Sequence, residues 1–196
     1  MKFQQEIISY LLIFLLTIFL ISLTIYFYLP QIKKMQDDIK VKTIFKNMFD
    51  RSTENSLASS LQRVINLGGI LRVDTGYDVY WNITQKSIEA KFYSLVCPTE
   101  PNNNFVFIDG CAKSVCYLGL DLFYNVEVKS RRVQDECEIT YRLTLVNNLK
   151  SEDQNYNIVI SFIPSQQFFS SKYLVLSLVR KEYIGNSIFY DIGISI

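Results

Sequence analysis

The chain of 196 residues contains no histidine. Histidine is the commonest general base and metal ligand, and the usual partner of a serine or cysteine nucleophile, so its absence argues against most hydrolytic and metal-dependent chemistry. The sequence contains no arrangement of residues typical of a catalytic site, and Gly68-Gly69 lacks the surrounding residues of a phosphate-binding loop. We therefore expect a protein that is not an enzyme and that holds neither a cofactor nor a metal ion.

The chain also lacks an excess of charge of either sign. Twenty Lys and Arg residues are balanced by 19 Asp and Glu residues, which leaves a net charge of +1. Binding to nucleic acid depends on positive charge, so the sequence predicts no nucleic-acid partner. The acidic clusters at Asp37-Asp38 and at Asp135-Glu136 lack the spacing of a calcium loop, and we interpret them as solvated charge.

Charge is absent altogether from Ile7 to Ile32. A helix of that length crosses a hydrocarbon core of about 30 Å. The run ends on the aromatic cluster Tyr26-Phe27-Tyr28, which is typical of a membrane interface, and it lacks the small residues of a signal-peptide cleavage site. The sequence predicts a retained membrane anchor or filament core over residues 7–29.

A helical pattern continues beyond Pro30. Over residues 31–67 apolar side chains recur at steps of three or four residues, while charged side chains fill the other faces. Gly68-Gly69 then ends the pattern. We predict one N-terminal helix over 1–67, kinked near Pro30 and amphipathic in its second half, with a weak point at residues 51–55 where a break and a new cap could form.

The remaining residues, 68–196, alternate between apolar runs and turn signals, of which Gly185-Asn186 is the clearest hairpin signal. We predict an α+β protein with an antiparallel β-sandwich-like head or curved sheet, in which the charged stretch 129–136 connects two long strands. The predicted strands cover residues 70–73, 77–83, 87–96, 118–128, 138–146, 156–163, 173–183 and 187–196.

The four cysteines, Cys97, Cys111, Cys116 and Cys137, all lie in the predicted head. An even number of cysteines in an extracytoplasmic domain indicates two disulfides, with three possible connectivities. One of these joins Cys111 to Cys116 and Cys97 to Cys137. The alternative is a zinc site of four thiolates, which is disfavoured because the cysteines lack the paired spacing of zinc knuckles.

The only sequon is Asn82-Ile83-Thr84, which makes Asn82 a candidate for glycosylation. It agrees with the cysteines in favouring an exterior head. The basic flanks, Lys2 on one side and Lys33-Lys34 on the other, would by themselves place the head in the cytoplasm. We weigh the cysteines and the sequon more heavily and expect the head outside. Trp81, next to the sequon, is interpreted as a core or rim residue rather than a platform for carbohydrate.

The stretch Gln5-Glu6-Ile7-Ile8-Ser9-Tyr10-Leu11-Leu12, which leads into the long apolar helix, resembles the start of archaeal type IV pilin-like proteins. These include pilins, archaellins and adhesion-filament subunits. The passage from Leu61 to Phe92 also looks like the helix-to-first-hairpin passage of that family. In pattern the resemblance covers roughly residues 3–95. Members of the family carry a leader that ends in a cleavage site, whereas only Met1 and Lys2 precede Phe3 here.

The resemblance implies a precursor that inserts into the membrane, loses its leader to a dedicated peptidase and moves its helix into a filament core. Glu6 would then pair with a neighbour's N-terminal amine and set the register of assembly. The alternative is that Glu6 is solvated in the interfacial layer, where it favours the helix N-terminus. The helix would pack through Ile7, Leu11, Leu12, Phe14, Leu15, Ile18, Phe19, Ile21 and Ile25.

The functional expectation is a structural subunit of an extracellular filament with a role in adhesion or as a surface appendage. Its partners would be copies of itself, the membrane before assembly and a pilus assembly machinery. The alternative is a single-pass, membrane-tethered extracellular binding protein that never polymerises.

Overall fold

The computed structural model describes the backbone of residues 2–153 and 155–196, and the side chains from residue 9 onward within those ranges. This part of the chain forms two helices followed by ten strands. The helices are α1 (Lys2–Phe49) and α2 (Leu57–Leu67). The strands are β1 (Ile70–Ile83), β2 (Ser87–Ser94), β3 (Val106–Gly110), β4 (Cys116–Tyr117), β5 (Tyr124–Val133), β6 (Glu136–Leu145), β7 (Leu149–Lys150), β8 (Asn157–Pro164), β9 (Phe168–Ile184) and β10 (Ser187–Ser195).

Helix α1 runs through Pro30 without ending, and it has two different halves. Every side chain from Ser9 to Gln36 is exposed, so this half projects from the rest of the molecule. From Asp37 onward the helix lies on the head, and it buries Val41, Ile44 and Met48. The predicted kink at Pro30 stays a prediction.

The prediction of one helix to residue 67 is wrong between residues 50 and 56, where the chain turns before α2 begins. The Asp50 carboxylate accepts hydrogen bonds from the Ser52 hydroxyl at 2.7 Å and from the Ser52 backbone N–H at 2.9 Å. These bonds lower the pKa of Asp50. Ser56 then caps α2 by accepting a hydrogen bond from the Ser59 backbone N–H at 3.2 Å. The break therefore falls at the weak point that the sequence indicates.

The α+β fold is confirmed, with a large and mostly antiparallel sheet behind the long helix. The ten strands of the described residues form one sheet, in the order β3-β5-β6-β2-β1-β9-β10-β8-β7-β4. Two of the pairings, β8 with β10 and β4 with β7, are parallel. Both parallel pairings lie on the side of the sheet that ends at β4.

The sheet curls so that its two ends meet, rather than dividing into two separate sheets. Its edge strands β3 and β4 are at opposite ends of the strand order, yet they are consecutive in the chain. Cys111, just after β3, and Cys116, the first residue of β4, form a disulfide with a Cα–Cα distance of 6.3 Å. The β1–β2 turn also contacts β8, because the Gln85 carbonyl accepts a hydrogen bond from the Phe162 backbone N–H at 3.0 Å.

The inner face of the curled sheet and the two helices enclose one continuous hydrophobic core. Tyr141 of β6 packs its ring against Phe45 and Phe49 of α1 and against Phe92 of β2, with centroid distances of 5.6 to 5.8 Å. Burial raises the pKa of the Tyr141 hydroxyl and raises that of Tyr124 to about 12. The largest fully buried side chains are Trp81, Tyr124, Phe92, Phe123, Phe162, Ile44, Met48, Leu57, Leu61, Ile83, Ile88 and Ile139.

The charged stretch 129–136, predicted as a connection, is mostly strand. β5 and β6 extend to a tight turn at Gln134-Asp135, where Gln134 adopts a positive φ of 57°. Arg131 is exposed, and it pairs across the strands with Glu138 at 3.2 Å. Charged side chains are compatible with a strand here because the outer face of the sheet is exposed to solvent.

Candidate assembly surface and head groove

The projecting half of α1 is apolar on all sides from Ser9 to Leu29. Its most apolar stretch of 18 residues has a mean hydropathy of 2.5, and none of that stretch is buried in the molecule. At roughly 1.5 Å per residue, Ser9 to Leu29 spans about 31 Å, which matches the hydrocarbon thickness of a bilayer. The hydroxyls of Thr17 and Thr24 donate to carbonyls one turn back at 2.8 Å, which satisfies them without water. This segment requires an apolar environment from outside the chain.

The side chains predicted to pack the helix are available for contact. Leu11, Leu12, Phe14, Leu15, Ile18, Phe19, Ile21 and Ile25 are all exposed. Ile7 and Glu6 lie outside the residues whose side chains the structure describes. The register role of Glu6 therefore stays a prediction.

Exposed apolar surface continues beyond the length of a membrane span. Ile32, Met35 and Ile39 are spaced by three and four residues, so they share one face of α1. Met35 is 66% exposed and Ile39 is 56% exposed. Met35 and Ile39 lie on the head side of Lys33 and Lys34, where an anchor alone would need no apolar surface.

An apolar groove lies beside the docked half of α1. It has a volume of about 520 Å³ and runs between α1 and the edge strand β3. Val41 and Phe45 of the helix form one wall, and Val106, Phe107 and Ile108 of β3 form the other. The three β3 side chains are exposed. Exposed apolar side chains outside the membrane span are thus found both on α1, at Met35 and Ile39, and on the head, at β3.

Helix α1 is held on the head by polar contacts at the point where it leaves the exposed region. The Asp37 carboxylate accepts a hydrogen bond from the Leu95 backbone N–H at 2.6 Å. Lys40 donates to the Tyr93 carbonyl at 2.9 Å. Because the contacts of Asp37 and Lys40 lie one helical turn apart, they fix the rotation of the helix and hence the direction in which Met35 and Ile39 face.

The four cysteines form two disulfides, Cys97–Cys137 and Cys111–Cys116, and none is left free. The first disulfide ties the loop after β2 to the start of β6, and the second closes the corner where the sheet edges meet. The zinc alternative is excluded because all four thiols are in disulfides. Within the described residues no cluster of three or more cysteine or acidic side chains could hold a metal ion.

The interpretation of Trp81 as a core residue is confirmed, because its side chain is only 2% exposed. Its indole Nε1 donates to the Ser171 carbonyl at 2.8 Å. The neighbouring Asn82 faces outward, and its Nδ2 donates to Glu89 at 2.9 Å. Glycosylation of Asn82 stays a prediction, and a glycan on Nδ2 would disturb this hydrogen bond.

A second groove, of about 490 Å³, crosses the outer face of the sheet over β6, β2, β1 and β9. Tyr80 and Phe168 present exposed rings to it. Its polar lining comes from Asn82, Glu89, Lys91, Thr140 and Ser170. Sequence reasoning missed this groove, since the residues come from four strands whose pairing no single segment reveals. The outward position of Tyr80, between the inward Val79 and Trp81, was the one available signal.

No protein family, curated protein or solved structure matches this chain. An apolar helix near the N-terminus is long enough to cross a membrane, and the head contains two disulfides of the kind found in extracytoplasmic proteins.

Proposed function

We propose that this protein is a subunit of an extracellular type IV pilin-like filament that polymerises through its N-terminal helix and acts in adhesion or as a surface appendage. The subunit would reside in the membrane before assembly, with its head outside, and a pilus assembly machinery would transfer it to the growing filament. The residues of the Gln5–Leu12 motif and the apolar helix that follows support this assignment.

The observation that carries the proposal is the apolar surface outside the membrane span. A bilayer core covers about 30 Å, which Ser9 to Leu29 already fills. Met35, Ile39 and the β3 residues Val106 to Ile108 would be exposed to water in a monomeric membrane protein. The β3 side chains line an exposed apolar groove, and exposed apolar surface of this kind is typical of interaction sites. In a polymer, the helices and heads of neighbouring subunits would cover it.

The energetics of transfer are compatible with this role. From Ser9 to Leu29 the projecting half is apolar on every face, so this segment can be surrounded either by lipid or by the helices of other subunits. Exchange of lipid for protein keeps apolar surface away from water and adds close packing between helices. Glu6 would be the exception, and in this proposal its carboxylate pairs with a neighbour's N-terminal amine.

The alternative, a tethered binding protein that never polymerises, uses the same anchor. It gives no reason for apolar side chains at positions 35 and 39, because a tether needs apolar surface only within the bilayer. The two functions therefore differ in what they predict for these two positions.

The test is the variant Met35→Asp, with Ile39→Asp as a second example. Both positions are exposed, so neither change should alter the fold of the head. The matched control is Val179→Asp on the β9–β10 hairpin, where an equally exposed apolar side chain is replaced. Each protein is produced in the native cells. Shear fractions and membranes are then examined by negative-stain microscopy with antibody to the head.

We expect labelled filaments for the original chain and for the Val179→Asp control. For Met35→Asp and Ile39→Asp we expect a loss of at least about tenfold in filaments, with the protein retained in the membrane. Label confined to membrane vesicles in the original chain would reject the filament and favour the tether. Normal filaments from both variants would show that Met35 and Ile39 make no contact that assembly needs. The proposal would then lose its support.

A further inference from the structure

The groove on the outer face of the sheet is built from two rows of side chains. Register places Phe168, Asn82, Glu89 and Arg142 side by side in one row across β9, β1, β2 and β6. Ser170, Tyr80, Lys91 and Thr140 form the next row. Each row thus has an aromatic ring near one end and polar groups along the rest. The rings of Tyr80 and Phe168 are 55% and 61% exposed.

The charges in the groove are already neutralised by protein partners. Glu89 accepts a hydrogen bond from Arg142 Nε at 2.6 Å, and Lys91 lies 3.6 Å from Glu138. The lining contains one acidic and one basic side chain, so it offers no net charge to a ligand. A ligand that matches this surface is itself neutral, because a charged ligand would have to compete with these ion pairs.

Asn82 has an acceptor without a partner. Its Nδ2 donates to Glu89, which fixes the orientation of the amide, because the opposite orientation would bring Oδ1 against a carboxylate. Asn82 Oδ1 is buried, and the described residues provide no hydrogen-bond donor for it. A buried acceptor in this state lacks a stabilising hydrogen bond.

We propose that this groove binds a neutral saccharide. Sugar rings present C–H faces that pack on aromatic rings and hydroxyls that both donate and accept hydrogen bonds. Tyr80 and Phe168 supply the rings, and Asn82, Ser170 and Thr140 supply polar groups along the groove. The volume of about 490 Å³ falls within the range of small-ligand sites and suits one or two sugar units. The inference does not depend on polymerisation, since all of its residues lie on one head.

The test uses the full chain in phosphatidylcholine nanodiscs, which carry no sugar headgroup. The protein is produced in a bacterial host that adds no glycan to Asn82. Saturation-transfer NMR measures binding of the neutral probes maltohexaose, cellohexaose and mannohexaose. Sialyllactose and a glucosamine oligomer serve as the acidic and basic probes. Concentrations extend to about 10 mM, which is about ten times a Kd near 1 mM, as expected for an open groove.

We expect saturable binding of at least one neutral probe and a loss of about tenfold for Tyr80→Ala and for Phe168→Ala. The control Tyr183→Ala removes an exposed ring on the β9–β10 hairpin and should leave binding unchanged. Thermal unfolding, followed by the fluorescence of the buried Trp81, verifies that each variant is folded.

Several results would overturn the proposal. One is the absence of saturable binding by all three neutral probes. Another is equal binding of the charged probes. A third is unchanged binding by folded Tyr80→Ala and Phe168→Ala proteins. Because the measurement is made on unassembled protein, any of these results leaves the filament proposal standing, and a failure to form filaments leaves this one standing.

Discussion

The two halves of α1 belong to one unbroken helix, yet they obtain their stability from different sources. Residues 9–36 are exposed and largely apolar, so their environment must come from lipid or from other chains. Residues 37–49 are amphipathic and bury Val41, Ile44 and Met48 against the head. Helical propensity alone does not separate the two. The difference lies in whether the rest of the chain covers the apolar side chains.

The strongest way to break this comparison is to place the same charge in each half. Ile44 is completely buried, so Ile44→Asp should lower the free energy of unfolding of the head by about 4 kcal/mol or more. Ile18→Asp should leave head stability unchanged and instead reduce membrane insertion, at a cost of about 3 kcal/mol. Thermal unfolding in nanodiscs and carbonate extraction of membranes measure the two effects separately.

The control is Met48→Leu, which changes the shape of a buried side chain in the docked half without adding charge. It should lower the free energy of unfolding of the head by less than about 1.5 kcal/mol. If Ile18→Asp also destabilised the head, the projecting half would contribute to the internal fold and the comparison would fail.

The disulfides sharpen the comparison, since both stabilise the head and neither touches the projecting helix. Cys97–Cys137 closes a loop with a sequence separation of 40, whereas Cys111–Cys116 closes one of 5. The entropy of loop closure predicts the effect of replacing both cysteines of one disulfide with serine. The free energy of unfolding should fall by about 4 kcal/mol for Cys97–Cys137 and by about 2 kcal/mol for Cys111–Cys116. Chemical denaturation followed by Trp81 fluorescence gives both values. A reversed order would mean that closure of the sheet edges matters more than the length of the loop.

The smallest expected effect concerns the stability of the head at acidic pH. Partial burial raises the pKa of Glu138, but the hydrogen bond from Tyr93 and the charges of Lys91 and Arg131 outweigh it, so the pKa lies below its ordinary value. A lowered pKa in the folded state adds stability that is present above the unfolded pKa of about 4.3 and is lost as pH falls through the folded value. Glu138→Gln should make the melting temperature of the head less dependent on pH below about 4.5.

The projecting helix has no acidic or basic residue between Ile7 and Ile32, so the membrane association of this segment should not change over the same range of pH. An unchanged pH dependence in Glu138→Gln would show that other carboxylates dominate the acid response of the head.

Sequence reasoning was most successful where one local property decided the outcome. The absence of charge from Ile7 to Ile32 identified the projecting helix, and Gly185-Asn186 identified the last hairpin. The break before α2 falls at the weak point that the sequence indicated, where Ser and Asn residues compete for backbone hydrogen bonds, although the prediction itself was one continuous helix. Each of these features depends on neighbours within a few residues.

Features that depend on distant residues were missed. β9 begins at Phe168, five residues before its predicted start, because pairing with β1 extends it. Residues 129–133 were not predicted as a strand because they are rich in charge, and their pairing with β6 is not visible from the segment itself. The outer groove combines side chains from four strands. In each case the deciding contact is between residues far apart in the chain, and no local pattern records it.

The position of β1 in the sheet has a mechanical consequence. The chain passes from α1 through α2 directly into β1, which lies between β2 and β9 near the middle of the strand order. Tension applied through the helix would first load residues 70–74, which pair with β9 alone. Only beyond the irregularity between Asp74 and Val79 does β1 have partners on both sides, at Tyr80 to Ile83. The head is thus attached to its stalk through a segment paired on one side, and optical-tweezer unfolding from the two ends of α1 and β10 would measure the force it withstands.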